Sequence, residues 1–285
     1  MTTDTASPVA LPTPRRPLDA GKIGMHASMI VLALISIFPI YWMAVSSLKS
    51  ENEIFSPGLF PQSPSLDNYG FVLTSVPMLR MLVNSTIISV AAALLQVITG
   101  LLAAYGLVQW KFKLAPFVYG LIALSWLVPF QVTMIPNYVF ASKLGMLDSL
   151  TGLIAPHAAA AFAVMMLYHA MKSFPEEVVE AARMDGANYW RILWEIVVPN
   201  LRPSIASLAI IAFISAWNDY FWPLLLSRSM NNTTVQIGLQ MFMTQEGNLW
   251  GPLMAASTLA SLPILVVYLL LQRQVIESFM KSGLR

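Results

Sequence analysis

The chain has 285 residues, 57% of them apolar and only 11% charged. Soluble domains run at roughly 45–50% apolar and about 25% charged, so a soluble enzyme or binding module is excluded and a polytopic membrane protein is implied. The formal net charge of +2 comes from basic residues scattered over loops among acids, which excludes a stripe that tracks nucleic acid, and the absence of cysteine excludes a disulfide framework or thiolate metal site.

Residues 1–22 carry Pro8, Pro12, Pro14 and Pro17 among Thr, Ser and Ala; such a segment cannot bury a core and reads as a flexible cytoplasmic tail ahead of a membrane domain over 23–285. Apolar runs follow at 23–47, 81–108, 114–136, 149–171, 203–226 and 252–272. Each is near or above the ~20 residues that a helix needs to cross about 30 Å of hydrocarbon, so the expected fold is all-α with six transmembrane helices. Ala44-Val45-Ser46 imitates a signal-peptide cleavage site, but the first run exceeds the roughly 7–15 apolar residues of such a peptide and reads as a retained helix. Prolines at 39, 129, 136, 156, 223 and 263 predict bent helices whose freed carbonyls are met by neighbours. With the N-terminus inside, the inner segments hold twelve of the sixteen basic residues and the outer segments four, Lys49, Arg80, Lys143 and Arg228. The bias puts both termini in the cytoplasm.

Between the fourth and fifth runs lies a polar segment, about 172–202. Ser173 can cap a short helix there, with Glu176 completing a capping box and Pro175 in the first turn. Gly186 then stops the helix, and a second helix runs from about Asn188 to near Pro199. Ala181 and Ala182 keep one face thin enough to enter a cleft, and Glu180 can pair with a basic or N–H group in it. The fifth run holds the polar intrusion Trp217-Asn218-Asp219-Tyr220. An acid at the bilayer centre costs about 2.5–3.5 kcal/mol on insertion scales, so Asp219 is expected to face protein or water, and Pro223 leaves the Asp219 carbonyl free at a kink. Two readings stay open for this string: it satisfies the broken backbone and joins helices, or it lines a solute path or outer gate. His26, His157 and His169 stand singly near run ends and are expected at the membrane interface, as are most of Trp110, Trp126, Trp217, Trp222 and Trp250. Gly-x-x-x-x-Gly-Lys, His-Glu-x-x-His and Gly-x-Ser-x-Gly are all absent, so neither ATP binding nor the commonest hydrolytic chemistry is expected of this chain.

Glu180-Ala181-Ala182, three residues, Gly186, nine residues and Ile196-x-Val198-Pro199 together resemble the EAA loop of bacterial ABC-importer permeases, whose usual ending is Ile-x-Leu-Pro. Trp217-Asn218-Asp219-Tyr220-x-Trp222-Pro223-Leu224, Pro129-x-Gln131-Val132-Thr133-x-Ile135-Pro136 and Leu144 to Ser149 resemble the carbohydrate-type, MalG-like members. The tail departs from the group's usual ending, with Ser278 for the first glycine and the last glycine missing, which leaves the tail's contact with ATPase subunits open.

The resemblance implies a coupling helix between the fourth and fifth spans, with Glu180, Ala181, Ala182, Asp185 and Gly186 docking into an ATP-hydrolysing subunit. It also implies a second homologous permease subunit, two ATP-binding subunits that hold ATP and magnesium, and an extracytoplasmic solute-binding protein that meets outer loops 48–80 and 227–251. Residence in the lipid of the bacterial inner membrane follows, with import of a carbohydrate or a sugar phosphate such as glycerol phosphate, and no chemistry in this chain. Trp217, Asn218, Asp219 and Tyr220 would border the solute path. The competing class is an ion-coupled secondary transporter acting alone, with Asp219 as its proton or sodium site. A large structured inner loop and a single deep acid speak against it.

Overall fold

A computed structural model describes residues 20–110, 112–243, 247 and 249–283, and among these the secondary structure is helical, without β-strands. The chain divides after Met43. Helix α1, Ala20–Ser46, starts in the first unit, passes Pro39 without interruption and exposes apolar side chains such as Met29, Leu34 and Ile37. The tail expected over 1–22 lies outside the described residues up to residue 19, and residues 20–22 already belong to α1 rather than to a tail.

The second unit holds α2 (Asp67–Ser75), α3 (Met78–Gln109), α4 (Ala115–Trp126), α5 (Phe130–Lys143), α6 (Leu150–Ile154, continued by a tight turn Ala155–His157), α7 (Ala161–Lys172), α8 (Glu176–Met184), α9 (Tyr189–Asn200), α10 (Arg202–Trp217), α11 (Phe221–Leu226), α12 (Val235–Gln240) and α13 (Trp250–Gly283). Helix α3 is central, lying along α7 and α10, and α10 in turn lies against α13. Small residues allow this approach: a Cβ on Gly100 would stand 3.0 Å from the Ala163 Cβ, so α3 and α7 meet nearly backbone to backbone. Around that seam Leu101, Ala104, Leu167 and Leu208 form one apolar core, and Met78, Met81, Phe213, Trp217 and Ala256 form another at the opposite end of α3.

Among the described residues three helices, Gly24–Ser46, Met78–Gln109 and Trp250–Gln274, are each long and apolar enough to cross a membrane, and the count reaches six if each bent pair is one span. The pairs bend by 94° between α4 and α5, 43° between the α6 segment and α7, and 79° between α9 and α10. The runs expected as single helices at 114–136 and 149–171 are therefore broken, and the first extends to Lys143. Pro129 shows the cause: it takes an extended conformation (ψ 135°), lacks an N–H, and disfavours helix at the residue before it. At the second break the Ala158 carbonyl is met by the Thr99 hydroxyl of α3 at 3.0 Å. Pro39, Pro136 and Pro263 sit inside continuous helices.

At the end of α3 remote from α8, polar side chains tie the connections down. Asn84 donates to the carbonyls of Asn231 and Thr233 at 2.9 Å each, and the Ser85 hydroxyl accepts the Val235 N–H. Asp148, at φ 51°, accepts the N–H groups of Arg228 and Ser229 at 3.0 Å. Those two backbone donors hold its carboxyl below the ordinary carboxylate range.

Candidate functional site

Helix α8 does not begin as expected. Ser173 ends α7 instead, in a helical conformation (ψ −4°) with its hydroxyl donating to the Ala170 carbonyl, whereas an N-cap needs extended backbone. Pro175 takes that place (ψ 124°) and no side chain caps the helix; Glu176 and Glu177 in the first turn complement the positive end of its dipole. The other end forms as expected. Gly186 adopts φ +79°, its N–H bonds the Arg183 carbonyl, and the Ala187 N–H bonds the Ala182 carbonyl, the paired closure that a left-handed residue makes possible.

One stripe of α8 faces the protein and the other is free. Val179 and Ala182, three residues apart, are buried against Ile192, Leu193 and Val197 of α9, while Glu180, Ala181, Met184, Asp185 and Gly186 are exposed. The expected thin face of two alanines is corrected: Ala181 points outward and Ala182 packs inward, because successive helical residues lie about 100° apart. Arg183 binds the Gln109 side chain of α3 at 2.9 Å and lies 5.5 Å from the Tyr189 ring, and the Tyr105 hydroxyl donates to the Tyr189 carbonyl. On α9 the Asn188 side chain caps the first turn, and a widened i→i+5 stretch runs over Ile192–Val197. Helices α8 and α9 are thus fastened to α3, and α9 leads into α10.

The second site lies where helices break. Asp219 does not sit within a kinked helix as expected: α10 ends at Trp217, Asn218 and Asp219 form the break, and the chain resumes helix at Phe221. Pro223 falls in the new first turn, where its missing N–H is no loss. Asp219 Oδ1 accepts the Trp222 N–H at 3.4 Å, and its Oδ2 stands 3.4 Å from His157 Nε2, both side chains being less than a fifth exposed. His157 was expected at the membrane interface, singly; it instead joins the break before α7 to the break after α10. Asn218 Oδ1 accepts from Gln236 at 3.2 Å, and Tyr220 is half-buried with its ring edge-on to Phe221.

Trp217 and Trp222 are each 1% exposed, so they are core residues and not part of an interfacial belt. The first stacks on Phe213; the second donates its indole N–H to the Gly152 carbonyl at 3.0 Å and meets Phe130, the first residue after the α4–α5 break, edge-on. Phe130, His157 and Asp219 thereby bring three breaks together. Irregular backbone at membrane depth is tolerated only where protein buries it or water reaches it, and here Trp222, His157 and Asp219 pack and bond across the breaks. Polar residues placed beside prolines in two separate apolar runs, His157 after Pro156 and Asp219 before Pro223, are the signal in the sequence that could have paired them. Among the described residues no group of three or more His, Asp or Glu side chains could hold a metal ion.

The family model for the binding-protein-dependent transport system inner membrane component matches residues 96–280. The sn-glycerol-3-phosphate transport system permease protein UgpE of Yersinia pestis bv. Antiqua is 31% identical over 94% of this chain and 98% of its own length. The lactose transport system permease protein LacG of Rhizobium radiobacter is 29% identical, covering 91% of this chain and 95% of that protein. Among solved structures, a chain of a bacterial ABC transporter involved in the import of the acidic polysaccharide alginate superposes with a TM-score of 0.77 at 24% identity, over 92% of this chain and 99% of that one, which is a likeness of fold. With the α8–Gly186 element, the broken spans and a match over most of its length, this chain belongs to the family of inner membrane components of binding-protein-dependent transport systems.

Proposed function

We propose that this permease is one of two homologous transmembrane subunits of an ABC importer for a carbohydrate or sugar-phosphate solute, driven by two ATP-binding subunits and fed by an extracytoplasmic capture protein. ATP and magnesium belong to the partner subunits, and this chain moves solute without catalysis. The observation that carries the reading is the exposed row Glu180, Ala181, Asp185 and Gly186 on a helix fastened to α3 through Arg183 and Gln109. Force on that row is delivered to the central helix, and through α9 to α10, so nucleotide-driven closure at one end is felt at the Asp219 junction. The excess of basic residues on the α8 side supports six spans with both termini and α8 in the cytoplasm.

Asn218, Asp219 and Tyr220 border the solute path in this reading, with Trp217 as the buried support behind them. The test is reconstitution. With partner permease, ATPase subunits and loaded capture protein, ATP hydrolysis should rise on capture-protein addition and solute should accumulate inside liposomes. Ion-gradient-driven uptake by the lone chain would refute the assignment.

A further inference from the structure

Helix α9 carries two large aromatic side chains that neither the exposed row of α8 nor the junction uses. Trp190 is 61% exposed and Trp194 48%. Four residues apart, they share one face, and Arg191 and Glu195, joined at 2.8 Å, share the next, about 100° round the helix. The remaining face, Ile192, Leu193 and Val197, is buried in the core shared with α3, α7 and α8. The two free faces suit different surroundings, indoles an interface between apolar and polar phases and an ion pair open water.

The bend after α9 fixes how the helix lies. The fifth apolar run, 203–226, starts with α10, and α9 meets α10 at 79°. Membrane spans tilt on average about 20° from the bilayer normal, so a helix at that angle to a span lies within roughly 30° of the membrane plane. Its level is marked as well: the exposed Arg202, two residues beyond the end of α9 at Asn200, opens α10, and a basic residue at a span end reaches for the headgroups. From this, and resting on the cytoplasmic placement of α8 in the importer reading, we propose that α9 lies in the inner-leaflet interface, with the face of Trp190 and Trp194 seated among phospholipid headgroups and Arg191 and Glu195 turned to the cytoplasm. An indole ring enters the acyl boundary while its N–H finds an ester carbonyl or phosphate oxygen. Because α9 joins α8 to α10, this lipid contact sets the height of the α8 row relative to the bilayer.

The chain has no cysteine, so single labels can be placed without background. Spin labels on Trp190→Cys, Arg191→Cys, Trp194→Cys and Glu195→Cys, one at a time, are read in the complete importer in liposomes of phosphatidylethanolamine and phosphatidylglycerol. Oxygen, which concentrates in lipid, and a water-soluble nickel chelate present on both sides are the two relaxing agents. The ratio of oxygen to nickel access should be several-fold higher at 190 and 194 than at 191 and 195. The same ratio at all four positions overturns the inference, as does closure of 190 and 194 to both agents, which would mean that an ATPase or permease subunit covers this face. A second arm leaves the fold undisturbed: phospholipids brominated near the headgroup end of their chains quench tryptophan fluorescence, and the quenched signal should fall in the double variant Trp190→Tyr, Trp194→Tyr, which keeps an amphipathic ring at each place. An unchanged quenched signal likewise overturns the inference. ATP hydrolysis stimulated by the capture protein, recorded on the same liposomes, tests the importer reading separately; its absence beside the expected label pattern would overturn that reading and leave the lipid contact standing.

Discussion

Gly186 holds φ +79° with open space where a Cβ would stand, so its requirement is conformational rather than steric. A β-branched side chain there costs about 1–3 kcal/mol of local strain and disturbs both closing hydrogen bonds of α8. Gly186→Val should therefore leave insertion and capture-protein binding intact while uptake falls, with ATP hydrolysis continuing or the ATPase subunits dissociating; wild-type uptake at equal membrane levels would reduce α8 to an ordinary surface helix. Glu180→Lys tests the exposed stripe instead of the backbone. It places a cation where the coupling reading has a carboxylate meet a donor, so loss of ATPase association on pull-down is the expected result. Ala182→Lys, on the buried stripe, should destabilise the chain itself.

At the scale of the element, α8 and α9 differ in what holds them. Helix α8 has nine residues and no side-chain cap, too short to persist alone, and owes its place to Val179 and Ala182 against α9 and to the Arg183 bond to α3. Arg183→Ala should loosen it, seen as faster amide exchange over Glu176–Met184. The connections beyond α5 and α11 are pinned by Asp148, whose carboxyl is held below its ordinary range by the Arg228 and Ser229 N–H groups. A folded-state value below the unfolded one means that this support is present above the ordinary carboxylate range and is lost as pH falls through the folded value, on the acid side of that range. Amide exchange at Arg228 and Ser229 should accelerate in that acid window. In Asp148→Asn, which has no carboxyl to protonate, the rates should follow only the intrinsic pH dependence.

For the whole molecule, six spans and an inner α8 make a direct forecast: a reporter fused after Arg202 reads cytoplasmic and one at Met230 reads external, and both on one side would end the six-span arrangement. The purified chain alone should show no ATP hydrolysis, since it lacks a phosphate loop. Much of this was legible in the residues taken in order. The apolar runs at 81–108 and 252–272 became α3 and α13, and Gly186 ended α8, because apolar run length and the freedom of a glycine act within a few residues of chain. The reading that Ser173 caps α8 failed when α7 ran on to Lys172 and claimed it. Pairings between distant segments were beyond any local window: Trp222 reaches Gly152 and His157 reaches Asp219 across more than 60 residues. Pro129 stands in extended conformation at a break while Pro136 sits inside the helix that follows, a difference that the residue type alone does not state. Composition and spacing by themselves determined a membrane chain with a polar helix-Gly-helix element. Tertiary packing alone decided which alanine of Ala181 and Ala182 faces outward, and that His157 and Asp219 meet, because burial and partner geometry are properties of the assembled helices and not of any one of them.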